Sequence, residues 1–515
     1  MDPRALARKA LTVSGWTLAS RILGLVRDRL WAGAAGGSVL LDAFFTAFTL
    51  PNLLRNLFGE GALSSAFIPR YAQLLQEDPE RAQAFAGQVL TRLCLWLSLV
   101  ATLGVVLCAG FMVLATPMSK PWLVATLALP MVPFLVFICV TAVMSGMLNV
   151  RRHFWVAAAA PVILNVAQIS TIWMSPDEEV WVAPYAVLAA GVVMALLHLW
   201  ALGRTPGGVP ALSLRTDVDW QGLKRALLPN LLSSGVFQLN VFLDSWIAMF
   251  LLGEGAVGYL YFGNRLLQFP MALIGHGVTT VAFPEMSRRA AQGWSATAEF
   301  LRDGARLQAF WLLPAAVGLI VCAEPLVRTI YQTGRFGDDD VARTVLVTQF
   351  LGLSLVPISL SKLLVRAFHA HQDQRTPLRV SVAMVAVNLV LNLTLVFTPL
   401  HEAGLALATA ISGTGGFLTY LVLLHRRGAT ALLDVRGLLR PALAAVAMGL
   451  AVAALFHHWP QPEGRASGYA ALRLLAGVAL GGAVYLAITG TGWLRRRKAT
   501  ASPADPPRAE TPDVP

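Results

Sequence analysis

The stretch SRILGLVRD, Ser20 to Asp28, sets Arg21, Arg27 and Asp28 among leucines and valines, and Arg29 follows directly. Other charges lie in equally apolar surroundings: Asp42 and Arg55 at the two ends of DAFFTAFTLPNLLR, Glu60 just beyond it, and Arg265 beside Asn264 in YFGNRLLQFP. A charge at the centre of a bilayer costs at least ~2.5–3.5 kcal/mol, so such residues need a wet cavity or a partner. Guanidinium groups stay charged at any biological pH and make paired hydrogen bonds to carboxylates and phosphates. Arg21, Arg27 and Arg265 turned into one cavity would therefore bind an anion, and a diphosphate suits them. Asp28 and Asp42 would orient and partly neutralise them in the empty state, whereas an exporter of drug cations should have an acidic cavity.

Competing readings stand beside these. Arg27 and Asp28 could belong to an interfacial helix end and snorkel, as Arg29 and Lys362 are expected to do. Arg55 and Glu60 read equally well as an interfacial ion pair. Arg21 and Arg27 are six apart, about 240° on an ideal helix, so a bend or unwinding at Gly24 is expected to turn both inward. Asp244 with Asn388 and Asn392, four apart on one face, offers hard oxygen ligands for a cation. Asparagines hydrogen-bonding between helices would explain the same residues.

No catalytic constellation is present: there is no HExxH, P-loop or GxSxG in a suitable context, and His369 and His371 have no partner cluster. The chain is therefore not expected to be an enzyme. Without an ATPase motif, work would come from an ion gradient, from the membrane potential or from the substrate's own gradient. The cysteines, Cys94, Cys108, Cys139 and Cys322, lie in apolar runs and form no disulfide or metal pattern.

The elements that must hold these residues are membrane spans. Only 13% of the 515 residues are charged and mean hydropathy is +0.63, against roughly 25% charged in soluble proteins. The net charge of +12 falls in short loops between apolar runs, a sign of topology rather than of nucleic-acid binding. About fourteen runs reach spanning length: 10–33, 39–56, 85–114, 121–148, 155–174, 180–203, 222–250, 256–281, 304–330, 341–368, 377–397, 401–425, 435–457 and 468–491. Their loops alternate between about 26 basic residues and about six, which places both termini in the cytoplasm. The basic N-terminus resembles a signal peptide, but the arginine-broken run reads as a retained span.

Asp28 and Asp244, Pro69 and Pro284, Pro133 and Pro357, and Asn165 and Asn388 recur at offsets of 216, 215, 224 and 223. The chain reads as an all-α integral membrane protein of two pseudo-symmetric six-helix lobes in parallel repeat, plus two C-terminal helices. Expected units are the N-lobe at 1–205, a cytoplasmic linker at 206–221, the C-lobe at 222–427, two extra spans at 428–498 and a disordered tail at 499–515.

SRILGLVRD, DAFFTAFTLPNLLRNLFGEGALSSAFIPRYAQ, YLYFGNRLLQFP and the later QDQRTPLRV resemble the signature segments of the MurJ (MviN) family, the bacterial lipid II flippases. Members belong to the multidrug/oligosaccharidyl-lipid/polysaccharide exporter superfamily. The resemblance implies transfer of undecaprenyl-diphosphate-linked disaccharide-pentapeptide from the cytoplasmic to the periplasmic leaflet of the inner membrane, by alternating access. It implies no cofactor, and lipid II, membrane lipids and cell-wall synthesis or division proteins as partners. Cavity arginines fall by motif match on Arg21, Arg27 and Arg265, with Arg55 at the end of the second span; cavity acids fall on Asp28 and Asp42. Asn264 stands where some members carry an aspartate. A sodium site of some members maps to Asp244, Asn388, Asn392 and Thr409, with Asn392 replacing an aspartate. In the family the extra helices form a hydrophobic groove for the lipid tail, and the last two spans, with the Gly477–Gly481 spacing, are the candidates here. Alternatives are an exporter of another polyprenyl-diphosphate-linked oligosaccharide or of drugs, and a non-transporting cell-wall scaffold.

Overall fold

The computed structural model describes residues 3–56, 62–215, 238–275, 288–429, 436–461 and 467–500, with Gly235 and Met286. Every regular element among them is helical. The first group comprises α1 (Pro3–Ala35), α2 (Val39–Arg55), α3 (Ala62–Glu77), α4 (Pro79–Leu114), α5 (Lys120–Met131), α6 (Phe134–Val150), α7 (Phe154–Met174) and α8 (Glu179–Gly203). The second comprises α9 (Gln238–Leu251), α10 (Ala256–Pro270) with a π turn at Met271–Gly275, α11 (Trp294–Val321), α12 (Ala323–Tyr331), α13 (Asp338–Ala370), α14 (Arg375–Leu395) and α15 (Glu402–Arg426). Then come α16 (Arg436–His458) and α17 (Ser467–Thr500).

Among the described residues nine helices are long and apolar enough to cross a bilayer, and α5 with α6 makes a tenth span bent by 43°. Pro130 and Pro133 flank that bend, each lacking the N–H a helix interior needs. Arg27 and Asp28 lie on α1, Asp42 on α2, Asp244 on α9 and Arg265 on α10.

Helices of the first group pack chiefly on one another, as do those of the second, while α16 and α17 lie against each other and against α11 and α12. Contacts between the two groups are concentrated at α2–α10 and α1–α12. An aromatic core fills that boundary: Phe45 of α2 stacks on Tyr261 of α10 at 4.1 Å, and Phe262 meets Tyr331 at 4.7 Å.

Several expectations are corrected. α1 is helical through Gly24, with no unwinding. The expected span 304–330 ends at Val321; the chain breaks at Cys322, and α12 is a separate short helix whose Arg328 pairs with Glu324 at 3.1 Å and with Asp338. α3, not foreseen as an element, buries Phe67 and Tyr71 and exposes Pro69 and Arg70. Gly477 and Gly481 face α16: a Cβ at Gly477 would lie 2.6 Å from Phe456 Cζ and one at Gly481 3.2 Å from Met448 Cγ. They let α17 approach α16 closely. α17 also continues through Ala499 and Thr500, where the disordered tail was expected to begin. Linker residues up to 215 run along α4, with the Ser213 N–H on Thr91 Oγ1 at 2.9 Å and Arg92 on the Arg215 carbonyl at 3.0 Å. Glu60, Pro284, the start of the seventh expected span and residues 501–515 lie outside the described residues.

Candidate functional site

Asp28 sits at the boundary of the two groups with no exposed surface. On its Oδ1 converge Arg27 Nε at 3.0 Å, Arg27 Nη2 at 2.6 Å and the Tyr261 hydroxyl at 3.0 Å. Its Oδ2 accepts from Arg265 Nε at 2.8 Å. Tyr261 and Arg265 are four apart on α10 and so share a face. Arg27 is completed by its Nη2 on the Tyr261 hydroxyl at 2.7 Å and its Nη1 on Asn165 Oδ1 at 3.0 Å. Asn165 of α7 is fixed in turn by donating to the Ser20 carbonyl at 3.0 Å. Two guanidiniums on one carboxylate leave a net positive charge. Their settings differ: the Arg27 side chain is 9% exposed and bonded through all three of its nitrogens, while that of Arg265 is 35% exposed. Among the described residues Arg265 donates only through Nε, so its two Nη groups remain as an open fork.

Arg21 is exposed and makes no hydrogen bond or ion pair among the described residues. On the unbroken α1 it shares a strip with Gly24 and Asp28, about two turns before Asp28. The arrangement thus brings Arg27 to Arg265, not Arg27 to Arg21. Arg55 is at the far end of α2 from Asp42, about 20 Å along the axis, with Nε and Nη2 on Asn52 Oδ1 at 3.3 and 3.0 Å. Asn264 is half-buried and makes no hydrogen bond among the described residues.

Asp42 does not orient the arginines. Its Oδ1 accepts the Gly258 backbone N–H at 2.8 Å, in the first turn of α10. A carboxylate there caps unpaired N–H groups and meets the positive end of the helix dipole. Two cations of the first group make the converse contact. Arg29 Nη1 reaches the Thr329 and Ile330 carbonyls at the end of α12, at 2.6 and 2.8 Å, and Lys120 Nζ reaches the Leu252 carbonyl after α9 at 2.6 Å. Arg29 is therefore not a snorkelling charge. At the same end the Arg335 N–H donates to the Gly33 carbonyl at 2.8 Å, and Arg335 pairs with Asp177 at 3.0 Å. Towards the other end of the bundle Asn56 Nδ2 meets Gln238 Oε1 at 3.1 Å. Lys362, also expected to snorkel, lies half-buried with Nζ 2.9 Å from Met271 Sδ.

The second polar group is assembled. Asn392 Nδ2 donates to Asp244 Oδ1 at 2.6 Å and Asn240 Nδ2 to Asp244 Oδ2 at 3.2 Å, while the Asn388 amide, turned as its neighbours require, accepts from the Ser412 hydroxyl and the Thr409 N–H, each at 3.2 Å. The Thr409 hydroxyl instead donates to the Leu405 carbonyl at 3.1 Å. Asn392 is fully buried, and among the described residues its Oδ1 has no hydrogen-bond partner. An orphaned carbonyl oxygen beside a carboxylate and further amide oxygens fits a hard cation. Among the described residues no cluster of three or more His, Cys, Asp or Glu exists to hold a softer metal. The duplication acquires a structural meaning: Asn165 is one side chain from Asp28, through Arg27, and Asn388 is one from Asp244, through Asn392.

Tyr261, Asn240 and Ser412 were not foreseen as site residues. The i, i+4 relation of Tyr261 to Arg265 was a usable signal; nothing in the spacing pointed to Ser412.

Solved structures share this arrangement of helices. A lipid II flippase MurJ in an inward closed conformation superposes with a TM-score of 0.80 at 23% identity, covering 95% of this chain and 100% of that one. A multidrug resistance MATE family transporter of the MOP superfamily gives 0.66 at 17% identity, covering 82% and 98%. Two helix groups joined over a buried Arg27–Asp28–Arg265 cluster define a multi-pass membrane protein of this fold. The family described as lipid II flippase MurJ matches residues 31–472, and the chain belongs to that family. A lipid II flippase MurJ of Burkholderia cenocepacia is 34% identical over 441 residues, covering 82% of this chain and 84% of that one. A probable lipid II flippase MurJ of Rhizobium tropici is 33% identical over 447 residues, covering 82% of each.

Proposed function

We propose that the chain moves lipid II from the cytoplasmic to the periplasmic leaflet of the bacterial inner membrane by alternating access of its two helix groups. The observation that carries this reading is the open Arg265 fork beside the buried Arg27–Asp28 pair, at the boundary between the groups. An arriving diphosphate would take the Nη donors of Arg265 and the nearby charge of Arg21. Arg27, held by Asp28, Tyr261 and Asn165, would keep the local field positive without reorganising. The prenyl tail would stay in lipid or against α16 and α17. Loops rich in arginine, such as Arg151–Arg152, support cytoplasmic termini. The end closed by Asp42, Arg29 and Lys120 would then face the periplasm, and breaking those contacts would open it.

Resetting would draw on the membrane potential or on a cation such as Na⁺. Asp244, Asn240, Asn388 and Asn392 would hold that cation, which would supply charge compensation among α9, α14 and α15. An exporter of a different polyprenyl-diphosphate sugar would use the same phosphate grip, whereas the positive cluster disfavours cationic drugs. In a strain depleted of its own flippase, the wild-type chain should sustain growth. R27A and R265A should reach the membrane at normal levels and fail to sustain it; growth with both variants would refute the assignment.

A further inference from the structure

Gly24 is buried on α1 directly beneath the Arg265 guanidinium. A Cβ built there would lie 2.5 Å from Arg265 Nη2, 3.7 Å from its Cζ and 3.8 Å from Asn165 Nδ2. Arg21 precedes it by three residues and Asp28 follows by four, so the three positions fall within about 60° around the helix. Arg265 reaches across from α10 to lie on this strip while its Nε holds Asp28 at 2.8 Å. Glycine in a helix interior is unfavourable relative to alanine, and α1 makes no use of its flexibility, since it is unbroken there. The missing side chain is used by Arg265 alone among the near neighbours: the next contact is already at van der Waals distance.

We infer that Gly24 is a positioning residue for substrate binding: its bare backbone forms the floor on which the Arg265 guanidinium rests between Arg21 and Asp28. A methyl group at 24 lifts Nη2 away, which turns the fork out of line with Arg27 and strains its bond to Asp28. Because the displaced atom is the end of a flexible side chain, the fold itself has no reason to suffer. This inference rests on the proposed role of Arg265, and its test separates the two.

The experiment compares wild type, G24A, R265K, G24A/R265K and R265A, purified and reconstituted in vesicles containing lipid II, with flipping, lipid II binding and thermal melting measured on each. G24A is expected to melt at or above the wild-type temperature, to bind lipid II at least tenfold more weakly and to flip it at least tenfold more slowly. A purely structural glycine would show the reverse, with lowered melting. Lysine has no atom at the Nη2 position, so the binding loss caused by G24A should shrink below threefold in the R265K background. Wild-type binding and flipping by G24A, or an equal loss with lysine at 265, overturns the role of Gly24. Normal flipping by R265A overturns the assignment of the site itself.

Discussion

Asp42 of α2 holds the Gly258 backbone N–H of α10 at 2.8 Å, across 216 residues of chain. The acid sits on the positive end of a helix belonging to the other group, while Arg29 and Lys120 sit on carbonyls at the negative ends of two more. The first group thus closes this end by capping helix termini of the second, and opening it leaves those termini to water. An acid so placed contributes roughly 0.3–1 kcal/mol, and up to ~2 when partly buried, which is small enough to break during a transport cycle.

D42N removes the charge and should shift the protein towards an open end. A cysteine at Ala35, which is 6% exposed at this boundary, reports on it. Its reaction with a charged thiol reagent should rise several-fold in D42N, and unchanged reactivity would argue against a latch.

Gly36 offers a second handle on the same contact. Its φ is +55°, and a Cβ there would lie 2.7 Å from the Arg335 carbonyl oxygen. Alanine would meet both the left-handed backbone penalty of ~1–2 kcal/mol and a rigid backbone neighbour. G36A should therefore raise the reactivity of the Ala35 cysteine as D42N does; a fully protected thiol would show that the turn is not part of the closure.

Asp28 keeps two guanidiniums together, so its substitutions should be graded. D28A leaves Arg27 buried beside Arg265 without a counter-charge, a situation costing about 3–5 kcal/mol for buried pairs, less here because Arg265 is partly exposed. D28N retains hydrogen-bond acceptance on one oxygen. Melting temperatures of purified protein should fall in the order wild type, D28N, D28A, and identical melting would mean that the cluster contributes nothing.

The all-helical membrane character and the meeting of Arg27, Asp28 and Arg265 were legible because charges in apolar runs have few physical explanations; Arg21 was placed with them only because a bend at Gly24 was assumed. Asp42 was misassigned because its partner is a backbone N–H, and backbone donors leave no trace in composition. Arg29 escaped for the same reason, with carbonyls as partners. Gly24 was read as a hinge when its role is to leave space, a property of the facing helix rather than of its own. The break at Cys322 was hidden by the apolar residues of α12, whose Glu324 and Arg328 needed their partners before they marked an end.

Away from the bilayer core, Asp373 joins α13 to α14. Burial opposes its ionisation, but the Thr376 hydroxyl and N–H and the Arg427 guanidinium hold its pKa down to about 2. A depressed acid stabilises the fold above its unfolded value of 3.8 and loses that contribution as pH falls through about 2. D373N keeps an oxygen to accept from Thr376 but loses the charge paired with Arg427 at 2.7 Å, so it should melt lower than wild type at pH 6 by an amount worth roughly 0.2–1 kcal/mol. The difference should narrow by pH 3, and a constant gap would contradict the linkage.

For the cation group, sodium in place of choline should raise the melting temperature of wild type and leave D244N unmoved. Equal responses in the two proteins would remove Asp244 from any cation site.

The most direct measurement is the transfer of lipid II between leaflets of sealed vesicles holding the purified protein. Wild type should expose lipid II to an impermeant probe at the far leaflet, while R27A and R265A, reconstituted in equal amount and equally folded, should stay near the protein-free rate. Transfer by R265A at the wild-type rate would contradict the phosphate-gripping site outright.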